Sequence, residues 1–179
     1  STRTAEALEL IEKKNQETID IVVMVQGDEP MISPKVITEV LNSVKSPNVE
    51  VSNAMSKFHS QKIFENKNNV KVVVNKFNEA LYFSREAIPS PWKGYQKNSC
   101  FNQTGIIAFK RETLLNFNLM NETSLEKIES VDMNRILENG GKIQMVPIAI
   151  PSFGVDTHED LIQVEELLKD DPYMIYYIK

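Results

Sequence analysis

The sequence predicts an α/β domain. A continuous β-branched run, Ile21-Val22-Val23-Met24-Val25, suits a strand covered on both faces, as in a parallel sheet. An amphipathic helical stripe follows at Val36, Ile37, Val40, Leu41 and Val44. Strand-like and helical stretches keep alternating after that, with no internal repeat, low-complexity tract or linker. A length of 179 residues gives one domain over 1–179, at ~150 residues per domain.

The elements can be justified in order. Ala5, Leu8, Ile11 and Ile19 lie among charges from Thr4 to Asp20, a loose helical stripe ahead of the first strand. Gln26-Gly27-Asp28-Glu29-Pro30 ends that strand abruptly with turn residues. Ser33-Pro34 opens the next helix, Ser as N-cap and Pro at the first helical position. Val49 to Val51 reads as a short strand, Ser60 to Glu65 as a helical turn, and Val70 to Asn75 and Ala80 to Ser84 as strands. Arg85 to Cys100, with Pro89, Pro91, Trp92 and Gly94, reads as a long surface excursion of the kind that often carries function. Thr104 to Phe109 is a further strand. Arg111 to Phe117 and Ser124 to Glu138 read as helices, and Gly140-Gly141 stops the second. Lys142 to Ile150 alternates like a strand, and Thr157 with Asp160 caps a last helix running to Leu168.

Charge and composition exclude several classes. Against 25 Asp+Glu stand 20 Lys+Arg, a net charge of -5 and a pI near 5.2, which is wrong for coating nucleic acid or anionic lipid. No apolar run approaches the ~20 residues that cross a bilayer, and no charged-then-apolar leader is present. Cys100 is alone, so neither an internal disulfide nor a cysteine metal cluster can form. The expectation is a cytoplasmic protein with neither nucleic-acid nor membrane partners.

Two carboxylates stand out as chemistry. Asp28 follows a buried strand, at the sheet edge where open α/β folds bind ligands, although Gly, Asp and Pro also make ordinary turns. Asp156 follows Ser152-Phe153-Gly154-Val155 and precedes a capped helix, where an acid can simply answer the helix dipole. Together they offer the hard oxygen ligands that Mg²⁺ takes, with room for water and phosphate. Other constellations fail: His59 and His158 have no nucleophile partner, and the glycines form neither GxGxxG nor a P-loop. Glu126, Glu129 and Asp132 read as a solvated helix face. Arg85 suits bidentate binding of an anion, or a surface ion pair.

Taken together, VQGDEP (Val25 to Pro30), NVKVVVN (Asn69 to Asn75) and ALYFSREAIP (Ala80 to Pro89) resemble the 3-deoxy-manno-octulosonate cytidylyltransferases, or CMP-KDO synthetases. TGIIAFKRETLLNF, SLEKIESVDMNRILENGGKI and GVDTHEDL follow in that family's order, so the resemblance runs to about Leu168. It implies a three-layer nucleotidyltransferase fold, like the nucleotide-diphospho-sugar transferases, with a mixed, mostly parallel sheet and a homodimeric assembly. It implies a reaction in which CTP and an acidic 3-deoxy-2-ulosonic sugar give a CMP-sugar and pyrophosphate, for bacterial lipopolysaccharide. By the same resemblance Asp28 and Asp156 are catalytic and hold Mg²⁺, Gln26 lies near the nucleotide, Arg85 meets the acidic sugar, and Asp132 matches a carboxylate on the sugar-binding helix.

Departures from the family pattern bear on the sugar. Gln103 stands where the family usually has His, and Met133 follows Asp132 where Gln is common. Both are expected in the sugar pocket, so the sugar could be KDO, an amino-substituted relative or a nonulosonic acid. The family's Arg/Gly-rich loop, which grips the triphosphate, has no counterpart here. The chain therefore reads as an N-terminally incomplete, C-terminal portion, expected to be inactive alone. A noncatalytic sugar-binding or dimerisation remnant is the alternative. A metal-dependent glycosyltransferase ranks last, because Asp28-Glu29-Pro30 is not D-x-D.

Overall fold

The computed structural model describes residues 1–149, 154–155 and 157–176. One sheet contains β1 (Ile21–Val25), β2 (Val51–Lys57), β3 (Lys71–Val74), β4 (Ala80–Ser84), β5 (Phe101–Lys110) and β6 (Gln144–Pro147). The strand path is β4-β3-β5-β2-β6, and β1 also pairs with β5, along Ile106 to Lys110. The long β5 is the organising strand, with Thr104 through Phe109 buried.

The expected mostly parallel sheet is corrected by the register. β5 runs antiparallel to β1, β2 and β3, and β3 runs antiparallel to β4. Among the described residues only β2 and β6 pair in parallel. The physical reason is that a continuous apolar run reports burial on both faces and carries no information about strand direction. The β3–β4 hairpin turns at Asn75, whose Oδ1 accepts the Phe77 and Glu79 N–H groups at 2.8 and 3.0 Å.

Helices cover both faces. α2 (Pro34–Val44) is capped by Ser33 Oγ, which accepts the Lys35 N–H at 3.2 Å. Its Val36, Val40 and Val44 pack on Ala54, Ile106 and Ala108. Each buried valine is worth roughly 1.5–3 kcal/mol. The opposite face carries Ile107 and Phe109, as the two-residue period of a strand requires. There they meet Ala5 and Leu8 of α1 (Thr2–Asn15), Leu114 and Phe117 of α4 (Arg111–Leu119), and Met133 and Ile136 of α6 (Met133–Glu138). The layers are thus helix, sheet, helix. The short α3 (Gln61–Glu65) buries Phe64 in a satellite cluster with Phe58 and Cys100.

α1 and α4 are clamped at the layer's edge. Glu12 accepts Arg111 Nε at 2.7 Å, Arg111 Nη2 at 2.9 Å and the Ile19 N–H at 2.9 Å. These bonds, the Arg111 one foremost, pull the Glu12 carboxyl down to about 2.

The helix expected over Ser124 to Glu138 is two helices. α5 (Ser124–Glu129) ends at Ser130 in the left-handed region, φ 54°, and α6 starts after Asp132. The break also overturns the solvated-face reading. Glu126 is buried, and its carboxylate takes Arg135 Nε at 2.7 Å. Arg135 in turn donates to the Phe117 and Met120 carbonyls at 3.2 Å, tying the two helices to α4. The last helix, α7 (His158–Leu168), carries the expected capping box of Thr157 and Asp160. The predicted strand end at Ile150 lies outside the described residues.

Candidate active site

The site forms where β5 widens. Between Asn53 and Met55 β2 advances two residues, while their partners Ile107 and Gln103 lie four apart on β5. Thr104 and Gly105 occupy the widened segment. On one side Asn53 Nδ2 donates to the Thr104 and Ile106 carbonyls at 2.9 and 2.8 Å. On the other, the chain leaving β1 adds a rung, Gln26 N–H to the Gly105 carbonyl at 3.0 Å, and the Glu29 carboxylate accepts the Gly105 N–H. Gly105 is required by close approach. A Cβ there would lie 2.7 Å from the Gln26 Cβ.

A cleft of about 750 Å³ opens above this segment. Gln26, Asp28, Arg85, Gln103 and Asp132 all line it. Five of the six residues singled out from the sequence therefore converge. The sixth, Asp156, lies outside the described residues. Its neighbour Val155 donates its N–H to the Asp28 carbonyl at 2.8 Å, and Gly154 lines the cleft. The two sugar-side departures separate: Gln103 lines the cleft, whereas Met133 is fully buried in the core, so its expected place in the pocket is corrected. Helix phase explains this, because α6 turns its first residue onto the sheet once Ser130 has broken the helix.

Arg85 is held almost wholly by backbone. Its Nε donates to the Glu129 carbonyl at 2.9 Å, Nη1 to the Lys67 and Asn68 carbonyls at 3.2 Å, and Nη2 to the Ser130 carbonyl at 3.4 Å. These bonds fix the guanidinium without spending its charge on a carboxylate. Glu129 anchors the same strand end, accepting Tyr82 Oη at 2.6 Å, Ser84 Oγ at 2.9 Å and the Arg85 N–H at 2.8 Å. Burial alone would raise the Glu129 carboxyl, but these hydrogen bonds outweigh it and hold it below the usual range. Burial, with the Glu129 hydrogen bond second, pushes Tyr82 up to about 12. Lys71, fully buried, donates to the Asn66, Asn69 and Arg85 carbonyls at 2.8, 2.8 and 2.6 Å, and burial lowers it to about 8. The loop carrying Asn68 and Asn69 into the cleft is thereby pinned to Arg85.

Asp28 has an exposed carboxylate at the cleft, with no ion pair among the described residues. Asp132 accepts Ser1 Oγ at 2.6 Å. Asn102 Oδ1 is buried in the lining with no hydrogen-bond partner among the described residues. Asn53, Asn102 and Lys71 escaped the sequence reading, and Glu129, read there as a solvated-face residue, instead anchors Tyr82, Ser84 and Arg85. Lys71 alone left a signal, a single lysine inside the apolar strand NVKVVV.

Comparison with known proteins agrees with this geometry. Residues 1–143 match the family described as cytidylyltransferase. A 3-deoxy-manno-octulosonate cytidylyltransferase of Fusobacterium nucleatum subsp. nucleatum is 36% identical over 169 residues, covering 94% of this chain and 68% of that protein. One from Thermodesulfovibrio yellowstonii is 38% identical over 173 residues, covering 93% and 68%. A solved CMP:2-keto-3-deoxy-manno-octonic acid synthetase complexed with CTP superposes with a TM-score of 0.78 at 33% identity, covering 89% of this chain and 66% of that one. A glucose-1-phosphate thymidylyltransferase described as putative, from Bacillus anthracis, shares the fold alone, at a TM-score of 0.61 and 15% identity. The chain spans about two thirds of the length of its octulosonate-enzyme relatives. With four-fifths of its length inside one family and the predicted residues gathered at one cleft, the chain belongs to the cytidylyltransferases, a family of nucleotidyltransferases.

Proposed function

We propose that the protein activates an acidic 3-deoxy-2-ulosonic sugar with CTP, giving a CMP-sugar and pyrophosphate for cell-surface polysaccharide. The observation that carries this reading is the Arg85 guanidinium. It is fixed by four backbone carbonyls on the cleft wall and makes no direct ion pair among the described residues, although the Glu129 carboxylate lies near enough to feel its charge. A fixed guanidinium without a direct ion-pair partner suits a sugar carboxylate. The names of the relatives support CTP and a KDO-type acid as the substrates.

In this reading the sugar's anomeric 2-hydroxyl attacks the α-phosphorus of CTP. The α–β phosphoanhydride bond breaks, pyrophosphate leaves, and the hydroxyl proton passes to solvent. Gln26, beside Gly105, contacts the nucleotide, while Arg85, Gln103 and Asp132 hold the sugar. The protein's work is chiefly positioning and charge stabilisation.

The donor chemistry at Asp28 fits Mg²⁺: a hard carboxylate, exposed at the cleft and open to water. Asp28 and Asp156 are the residues proposed to hold it. When bound, the ion neutralises phosphate oxygens. A homodimer is part of the same reading, supported by the exposed Leu81 on β4 and Trp92 in the following excursion. A cytoplasmic location agrees with the described helices, none of which is long and apolar enough to cross a membrane.

The test is pyrophosphate release by the full-length gene product with CTP and a panel of ulosonic and nonulosonic acids. Turnover with a 3-deoxy-octulosonate, abolished by Asp28→Asn, is the expected result. Inertness across the whole panel refutes the activity, and preference for a nonulosonic acid reassigns the sugar.

A further inference from the structure

Asn53 has a side chain that is fully buried, and its orientation is not free. Its Nδ2 donates to two β5 carbonyls, Thr104 at 2.9 Å and Ile106 at 2.8 Å. A carbonyl only accepts, so this end of the amide must be the NH₂. Oδ1 is then the end that meets Gln103, and an acceptor there takes only the Gln103 Nε2, at 2.8 Å. The Gln103 amide is thereby oriented as well, leaving Oε1 as its acceptor at the cleft, with no hydrogen-bond partner among the described residues.

We infer that Asn53 is a specificity-determining positioning residue: by fixing the Gln103 amide it makes this wall of the cleft accept hydrogen bonds, selecting sugar acids that present a donor there. This rests on the sugar-side assignment of Gln103 made above. The chemical class follows. A hydroxyl or a protonated amine satisfies the wall. A methoxy or carbonyl group at the same position leaves two acceptors facing each other, which is the arrangement that discriminates most strongly between otherwise similar ligands. Without Asn53 the amide can turn over and offer either end, and the discrimination is lost.

The test uses the full-length gene product and two measurements. Steady-state kinetics with 3-deoxy-D-manno-octulosonate and CTP should show Asn53→Ala raising KM for the sugar acid about tenfold, with KM for CTP nearly unchanged. In a Gln103→Met background the same substitution should leave the sugar KM unaltered, because its effect passes through Gln103. Additive effects of the two substitutions, or an equal rise in KM for CTP, overturn the inference. Should Asn53→Ala fail to fold, ¹⁵N NMR of the wild-type side-chain amides decides: a Gln103 NH₂ signal with one exchange-protected hydrogen is expected. An unprotected, freely exchanging Gln103 amide overturns the inference while leaving the proposed activity standing. A wild-type protein that shows the protected amide and turns over no ulosonic acid overturns the sugar assignment, and the selection argued from it falls too.

Discussion

Gly105 shows how one atom decides the geometry of the cleft. With a Cβ at that position 2.7 Å from the Gln26 Cβ, Gly105→Ala must push Gln26 away from the rung it forms on β5. The expected result is a rise of about tenfold or more in KM for CTP with a smaller change for the sugar acid, read by steady-state kinetics. A second consequence concerns Arg85. Glu129→Gln keeps the volume but weakens the bonds from Tyr82, Ser84 and the Arg85 N–H, so the strand end loosens. Denaturant unfolding should show a loss of roughly 1.5–3 kcal/mol, the worth of hydrogen bonds to a charged group. Gln26, Asp28, Arg85 and Asp132 stand in the contiguous motifs that carry the family resemblance, and Gln103 was singled out as a departure just before one of them. Asn53 was not legible and Glu129 was misread as solvated, because each acts on a partner 44 to 50 residues away that sequence spacing does not reveal.

Hydrophobic period sufficed to place most helices and strands. Ala80–Ser84 has the predicted bounds, and the capping signals at Ser33 and Thr157 lie where helices begin. What escaped the pattern was strand direction, and the break at Ser130, where a serine in the left-handed region interrupts an otherwise helical sequence. Strand direction follows from long-range pairing, and the break from the Glu126–Arg135 and Glu129 contacts, none of which periodicity encodes. The clamp between α1 and α4 was equally invisible, and it has a pH signature. Glu12 is held at about 2 in the folded protein against an ordinary 4.5, so its contribution is fully present above about pH 4.5 and is lost as pH falls through about 2. Wild type should therefore be more stable than Glu12→Gln at neutral pH, and the difference should shrink between about pH 4.5 and 2 in urea-unfolding curves. A difference that stays constant across that window would show that the carboxylate charge is not what joins the two helices.

Among the described residues the cleft carries an excess of negative charge, which bears on the binding of CTP in the proposed reaction. Asp28, Glu29, Glu122, Glu126 and Asp132 line it against only Arg85 and Lys127 among the charged residues described. Glu126 is already paired with Arg135, yet the balance still favours carboxylates. Bringing a polyanionic triphosphate into such a field is repulsive, and Arg85 is already held by the Lys67, Asn68, Glu129 and Ser130 carbonyls. In the proposed function a divalent cation held by Asp28 would turn the sign of that corner from repulsive to attractive. CTP titrated into the full-length gene product should therefore bind at least about tenfold more weakly in EDTA than in Mg²⁺, a difference of ~1.4 kcal/mol. Asp28→Asn should narrow that gap by removing the carboxylate proposed to hold the ion, and it should weaken CTP binding in Mg²⁺ while leaving binding in EDTA unchanged or slightly tighter, since one repulsive charge is gone. CTP binding that is equally tight in EDTA and in Mg²⁺ would show that groups other than the Asp28 carboxylate neutralise the triphosphate.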